Sequence, residues 1–220
     1  ATSVPAAEAP AIAGDFEQAA ADGSGPAGWH AVPPPSAADL RAELTWTEGA
    51  AHGGDHAVAI RLDPAVDSGE TAYNWTTRVT DVEPGATYAL SGWMKCEDLT
   101  STAALVLQCW SEGGDEMLAF ATTEGDYQPT GTRDWTRAWT VITVPEGTAR
   151  LAIRAINAAS PCKGGTVWFD DLALHVVSDG APGDAPASLG GPAAIAGTWH
   201  GELTAGGATL RLVLHVARDD

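Results

Sequence analysis

Most of the chain is built from short runs in which apolar and polar positions alternate with a period of two, the spacing of a half-buried β-strand. "HAVAIRL" (56–62), "NWTTRVTDV" (74–82), "TYALSGWMKCE" (87–97), "AALVLQCW" (103–110), "DWTRAWTVITV" (134–144), "ARLAIRAI" (149–156) and "TVWFDDLALHVV" (166–177) all read this way. Turn formers separate them: "EPG" (83–85), "EGGD" (112–115), "PEG" (145–147) and "CKGG" (162–165). Only "SAADLRAEL" (36–44) has a helical flavour, and it is too short to weigh against the rest. Many short strands with Gly/Pro turns predict an all-β fold, a jelly-roll β-sandwich of two antiparallel sheets.

The pattern stops at Asp179. "DGAPGDAPASLGGPAA" (179–194) has almost nothing to bury and reads as a flexible linker. Residues 195–220 then read as a strand, a Gly-Gly turn and a second strand. A lone hairpin is marginally stable in water, so this one is expected to open a truncated second domain. The expected organisation is an N-terminal leader (1–10), a sandwich domain (11–178), the linker and the hairpin.

Alternation also sorts side chains by face. Tyr88, Leu90, Met94 and Cys96 fall on one side of their strand, and Ser91, Trp93 and Lys95 on the other. In the next strand Leu105, Leu107 and Cys109 oppose Val106, Gln108 and Trp110. With the apolar sets inward, Trp93, Lys95, Gln108 and Trp110 are expected together on the outer surface of one sheet. Tyr127 and Trp135 flank the loop 124–135 and are candidates for its rim, with Trp75 a further candidate. Trp29, Trp46 and Trp168 are expected in the core or at structural positions, and Trp139 fits either role. A plain second layer of packing under a loop is the competing reading of this face.

Composition sharpens the choice of partner. The 220 residues include nine tryptophans, against three tyrosines and three phenylalanines. The 29 acids and 11 bases leave a formal net charge of -18, which opposes binding to nucleic acid or anionic membranes and suits neutral polymers and divalent cations. No apolar run approaches the length of a membrane-spanning helix. The Ala/Pro-rich start reads as that of a mature exported protein, secreted or extracytoplasmic. Three cysteines are too few for a disulfide scaffold. Cys96 and Cys109 are expected as buried free thiols, with a bridge from either to Cys162 the alternative.

Two segments carry a resemblance. "GDFEQ" (14–18), followed by "GPAGW" (25–29), resembles the opening strand of jelly-roll carbohydrate-binding modules of the family 4/9/22 type, a galactose-binding-domain-like fold. "GGTVWFDDLAL" (164–174) resembles their closing strand, and the segments between fit in order over residues 11–177. The resemblance implies a structural calcium between the first and last strands. By motif, Glu17 and Asp170 are the implied side-chain ligands, with carbonyls around Asp55 and His56 completing the shell. Calcium asks for such a set, six to eight oxygens from carboxylates and carbonyls.

No serine-nucleophile elbow, zinc motif, phosphate loop or telling Cys/His pairing is present, so no catalysis is expected. A neutral polysaccharide is the expected ligand: its C–H faces lie flat on indole rings while its hydroxyls reach amide and ammonium partners. Covering one indole face removes ~60–80 Å² of apolar surface from water, worth about 1.5–2 kcal/mol. The alternative is an accessory β-sandwich that packs against a catalytic domain of a larger secreted hydrolase, without binding sugar.

Overall fold

The structure, a computed structural model, describes residues 10–32, 42–62, 73–125, 127, 129–158 and 164–177, with the strands 197–205 and 208–216. The chain divides into two compact units, Ala1–Val176 and Val177–Asp220. In the first unit the strands are β1 (His30–Val32), β2 (Ala42–Glu48), β3 (His56–Leu62), β4 (Tyr73–Val79) and β5 (Thr87–Leu99). They continue with β6 (Thr102–Trp110), β7 (Met117–Thr122), β8 (Gly131–Thr143), β9 (Arg150–Ala158) and β10 (Gly165–Val177). A single 3-10 turn, Thr123–Gly125, lies between β7 and β8.

The strands form two five-stranded sheets, ordered β1-β4-β9-β6-β7 (sheet 1) and β2-β3-β10-β5-β8 (sheet 2). Only β2–β3 and β6–β7 are both consecutive and hydrogen-bonded neighbours; every other connection changes sheets. This is the predicted all-β jelly-roll sandwich. Its core is the inward set of both sheets, including Leu90, Met94 and Cys96 from β5, Leu105, Leu107 and Cys109 from β6, and Ile153, Val167 and Phe169, all fully buried. Such alternation puts every second residue of each strand into the shared apolar layer.

The segment 36–44 is corrected in part. Residues 42–44 begin strand β2, which pairs with β3 from Ala42 opposite Leu62 to Glu48 opposite His56. Ala42 and Leu44 are buried, so strand pairing overrides the weak local preference for helix. Residues 36–41 lie outside the described residues. Strand β7, Met117–Thr122, is an edge strand without clean alternation, which hid it in the sequence.

Cys96 and Cys109 are free thiols buried from opposite sheets, and burial pushes both pKa values up. Cys162 and the linker 179–194 lie outside the described residues. In the second unit, β11 (Gly197–Ala205) pairs antiparallel with β12 (Ala208–Val216).

Candidate functional site

The turn after Leu99 decides the geometry of the aromatic residues. It does not close a hairpin: β5 belongs to sheet 2 and β6 to sheet 1. Trp93 and Lys95 therefore lie on the outer face of sheet 2, and Gln108 and Trp110 on the outer face of sheet 1. The expected four-residue surface does not exist. Alternation assigned each strand its inner and outer sides correctly, but an inter-sheet corner turns the two outer sides away from each other.

On sheet 2, Trp93 is already covered. The His52 ring stacks on it at 3.9 Å between centroids and 15° between planes, and Trp135 approaches His52 edge-on at 5.7 Å. His52 Nδ1 lies 2.7 Å from Asp171 Oδ2, which fixes the imidazole over the indole. Lys95 Nζ sits 5.8 Å above the Trp168 ring, placing half-buried Trp168 on this outer face as well. Trp139 and Val141 of β8 stay open, at 56% and 52% exposure.

Two other candidates are absorbed by the interior. Trp75 is 4% exposed, and its indole N–H donates to the Ala59 carbonyl at 3.1 Å. It is a core residue, because the inward side of β4 faces β3 across the sandwich. Tyr127 packs against the core and its buried hydroxyl has no partner among the described residues. Neither joins Trp135 at a rim.

The outer face of sheet 1 has a different character, and the strand register defines it. Ala152 on β9 is flanked by Arg78 on β4 and Gln108 on β6. Above and below it on the same strand and face stand Arg150 and Arg154; Arg150 pairs with Trp110, and Arg154 lies between Thr76 and Val106. Phe120 on β7 pairs with Gln108. Small or short residues make the floor, with Ala104, Val106 and Ala152 buried, and larger ones make the walls. Phe120 and Met117 are 50% and 47% exposed at the β7 edge.

Within this face Trp110 is oriented by its neighbours. Its indole N–H donates to Gln108 Oε1 at 3.3 Å, and the Arg150 guanidinium lies 5.8 Å from the ring centroid. Gln108 thus keeps its amide N–H groups for another acceptor. Arg78, Arg154 and Phe120 were not singled out in the sequence. The signal for Arg154 was present, since Leu151, Ile153 and Ala155 alternate inward and turn Arg150, Ala152 and Arg154 out.

The acidic candidates gather around the loop before β3. Glu17 Oε1 accepts the Asp55 and His56 backbone N–H groups, each at 2.9 Å, and Oε2 lies 3.2 Å from His56 Nδ1. The His56 backbone bond, above all, lowers the Glu17 pKa. From the other side Asp170 Oδ2 accepts the His52 and Gly53 N–H groups at 2.7 and 3.0 Å, while Oδ1 accepts Asp171 N–H at 2.7 Å. Asp170 is fully buried, and burial pushes its pKa up to about 6 against three N–H donors. Asp171 at φ 48° bends β10 there, turning Asp170 under the loop before Leu172 rejoins the core.

For calcium the donors are of the right kind, hard oxygens, and Asp170 makes no ion pair among the described residues that would satisfy its charge. No three His, Cys, Asp or Glu side chains among the described residues gather around one point. A cation here would take Glu17 and Asp170 plus backbone carbonyls. Asp55 and His56 contribute N–H groups to Glu17, and the Asp55 carbonyl already accepts from Gly49 N–H at 3.0 Å.

No family model and no curated protein matches the chain. Solved structures do. The CBM22-1 xylan-binding domain of Paenibacillus barcinonensis Xyn10C superposes with a TM-score of 0.50 at 12% identity, over 76% of this chain and 93% of that one. A second xylan-binding domain of CBM 22 gives 0.50 at 17% identity, over 70% and 90%. The CBM22-1–GH10 modules of Clostridium thermocellum xylanase 10B, complexed with xylohexaose, give 0.48 at 14% identity; this chain matches them over 70% of its own length and spans 27% of theirs. The first unit of this chain has the jelly-roll fold of the family 22 carbohydrate-binding modules.

Proposed function

We propose that residues 10–177 form a non-catalytic carbohydrate-binding module that takes a polysaccharide on the outer face of sheet 1. The observation that carries this reading is the layout around Ala152: a floor of small side chains, an aromatic pair in Trp110 and Phe120, and the amide of Gln108 between them. A sugar's C–H face covers indole and phenyl surface while its hydroxyls pair with the amide of Gln108. Arg150 occupies one side of the Trp110 ring, and the sugar takes the other. The sugar backbone is neutral, in keeping with the acidic surface as a whole. Such a polymer lies outside the cell, which agrees with an exported chain.

Trp110→Ala is expected to weaken binding about tenfold to thirtyfold, the equivalent of the about 1.5–2 kcal/mol carried by one covered ring face. Trp93→Ala, on the opposite sheet, is expected to leave binding unchanged. Isothermal titration against soluble xylan, mannan and β-glucan checks both, and equal losses from the two variants would overturn the assignment of the face.

The reading includes a calcium ion held by Glu17, Asp170 and nearby carbonyls, where its charge would stabilise the loop 52–56 without contacting the sugar. Adding EDTA to the calcium-loaded protein is expected to lower Tm by several degrees while sugar affinity stays within twofold, by differential scanning fluorimetry and titration in parallel. A Tm indifferent to EDTA and to added calcium would remove the metal.

A second reading, an accessory domain that packs on a hydrolase partner, draws on exposed Trp139 and Val141 on sheet 2. It predicts no binding to any of the glycans.

A further inference from the structure

The five strands of sheet 1 contain Arg78, Arg150 and Arg154 and not one aspartate or glutamate. This holds in a chain with 29 acids and 11 bases. Sheet 2 shows what the rest of the chain is like: Glu43, Glu48, Glu97, Asp98, Asp134, Asp170 and Asp171 are spread over its strands. The strands of sheet 1 therefore carry a net positive charge, opposite in sign to that of the chain, with Glu112, Asp115 and Glu116 confined to the loop that joins β6 to β7, where Arg150 donates to the Gly114 carbonyl at 3.4 Å.

The three arginines are also adjacent. Arg78 pairs with Ala152, so Arg150 and Arg154 are its two diagonal neighbours on the next strand. Diagonal positions on one face lie about 7–8 Å apart, within reach of side chains this long. Like charges so placed repel one another, and each would be steadied by an acid. None is supplied, since the one arginine ion pair among the described residues is Arg61 with Glu43, on the other sheet. Arg154 is half-buried, and its Nε is buried without a hydrogen-bond partner. Burial and the Arg78 charge together lower its pKa, in keeping with a cation held in an unfavourable place. Two adjacent guanidiniums with no acid between them suit an oxyanion, which accepts charge-assisted N–H bonds from their outer nitrogens.

We propose that this face selects acidic polysaccharides, with an oxyanion on the sugar, a uronate carboxylate or a sulfate ester, seated among Arg78, Arg150 and Arg154 over Ala152. This rests on the glycan-binding reading above and specifies its ligand class. The neutral backbone lies on Trp110 and Phe120, and the acidic substituent supplies the counter-charge that the fold withholds. Total charge misdirects here because only charges within about a Debye length of the ligand, ~8–10 Å, act on it strongly.

The test is affinity electrophoresis and titration of the full chain against four probes: glucuronoxylan, the same polymer with its carboxyl groups reduced, a sulfated galactan and its desulfated form. Binding to glucuronoxylan is expected to be tenfold or more tighter than to the reduced polymer, with the gap closing as salt rises. Arg154→Gln, and independently the exposed Arg78→Gln, are expected to cost about ten- to a hundredfold on the acidic polymer and little on the neutral one. Arg78→Gln touches no core contact, so its result stands even if Arg154→Gln folds poorly. The same pattern confined to the sulfated pair supports the proposal with sulfate as the oxyanion. Equal binding to charged and uncharged members of both pairs overturns it and leaves the glycan reading intact. Binding to none of the four overturns both.

Discussion

Asp170→Ala is expected to destabilise the sandwich by about 4 kcal/mol and lower Tm by roughly 10 °C, the largest loss from any single carboxylate in the chain. Three backbone N–H groups, of His52, Gly53 and Asp171, would lose their acceptor at once. Each such donor costs about 1–3 kcal/mol, which outweighs the relief of removing a poorly solvated charge. Asp170→Asn removes the charge and keeps one oxygen, which can still accept from His52 and Gly53 while only the Asp171 N–H loses its acceptor. The pH dependence gives the sign. Asp170's folded-state pKa of about 6 lies above the ordinary 3.8, so the folded protein holds this proton more tightly than the unfolded chain. Its contribution is therefore fully present below about pH 4 and is lost as pH rises through about 6.

In chelator, the stability of Asp170→Asn relative to the natural protein should improve between pH 4 and pH 7 by about 2 kcal/mol, at ~1.4 kcal/mol per tenfold change in proton affinity. Glu17 works the other way: its lowered pKa adds stability that is lost on acidification. Both proteins carry Glu17, so its effect cancels in the difference. Urea unfolding at the two pH values checks this, and a gap that stays constant with pH would show that the buried charge carries no penalty.

Gly14→Ala is expected to cost the fold at least about 3 kcal/mol. Gly14 lies flat against β10: its carbonyl accepts Leu172 N–H at 2.9 Å, and a Cβ would run into the Leu172 carbonyl and lie 2.8 Å from the Leu172 Cβ. Both obstacles belong to or adjoin backbone, so no rotamer change clears them. Gly23→Ala is the control. Open space surrounds that position, and only its φ of 69° opposes a side chain, an expense of about 1–2 kcal/mol. Thermal melts of the two variants compare a collision with a conformational preference, and similar losses would mean that the 14–18 segment detaches from β10 at little cost.

Fold class, the position of the alternating strands and their inward sets of residues were legible because they depend on spacing within one strand, while β2 and the edge strand β7 were missed. "TYALSGWMKCE" and "AALVLQCW" declare their buried sides through Leu90, Met94, Leu105 and Leu107 without reference to any neighbour. The candidate surface was not legible, because it depends on which strands share a sheet. Trp93 and Trp110 are seventeen positions apart across a short turn, and a hairpin and an inter-sheet corner have the same local alternation. The arginine cluster was hidden for the same reason. Arg78 and Arg154 become neighbours only through the β4–β9 pairing, and the lack of acids in sheet 1 shows only once its five strands are grouped. Glu17 and Asp170 were brought to one loop by the family pattern, but their grip on its backbone N–H groups needed coordinates.

The order of strands in sheet 2 sets a schedule for assembly. β10, the last strand of the first unit to leave a ribosome, is the middle of that sheet, between β3 and β5. β3 can pair with β2 and β5 with β8 beforehand, but the edges of β3 and β5 that flank β10 stay open until residues 165–177 exist, more than sixty residues downstream of β5. Non-local pairing of this kind slows folding, and until β10 docks, sheet 2 is two separate strand pairs whose inner edges are exposed to aggregation. The carboxylate on that final strand then has a second meaning: Asp170 captures the loop 52–56 only when β10 docks, so the last strand to arrive is also the one that fastens the loop.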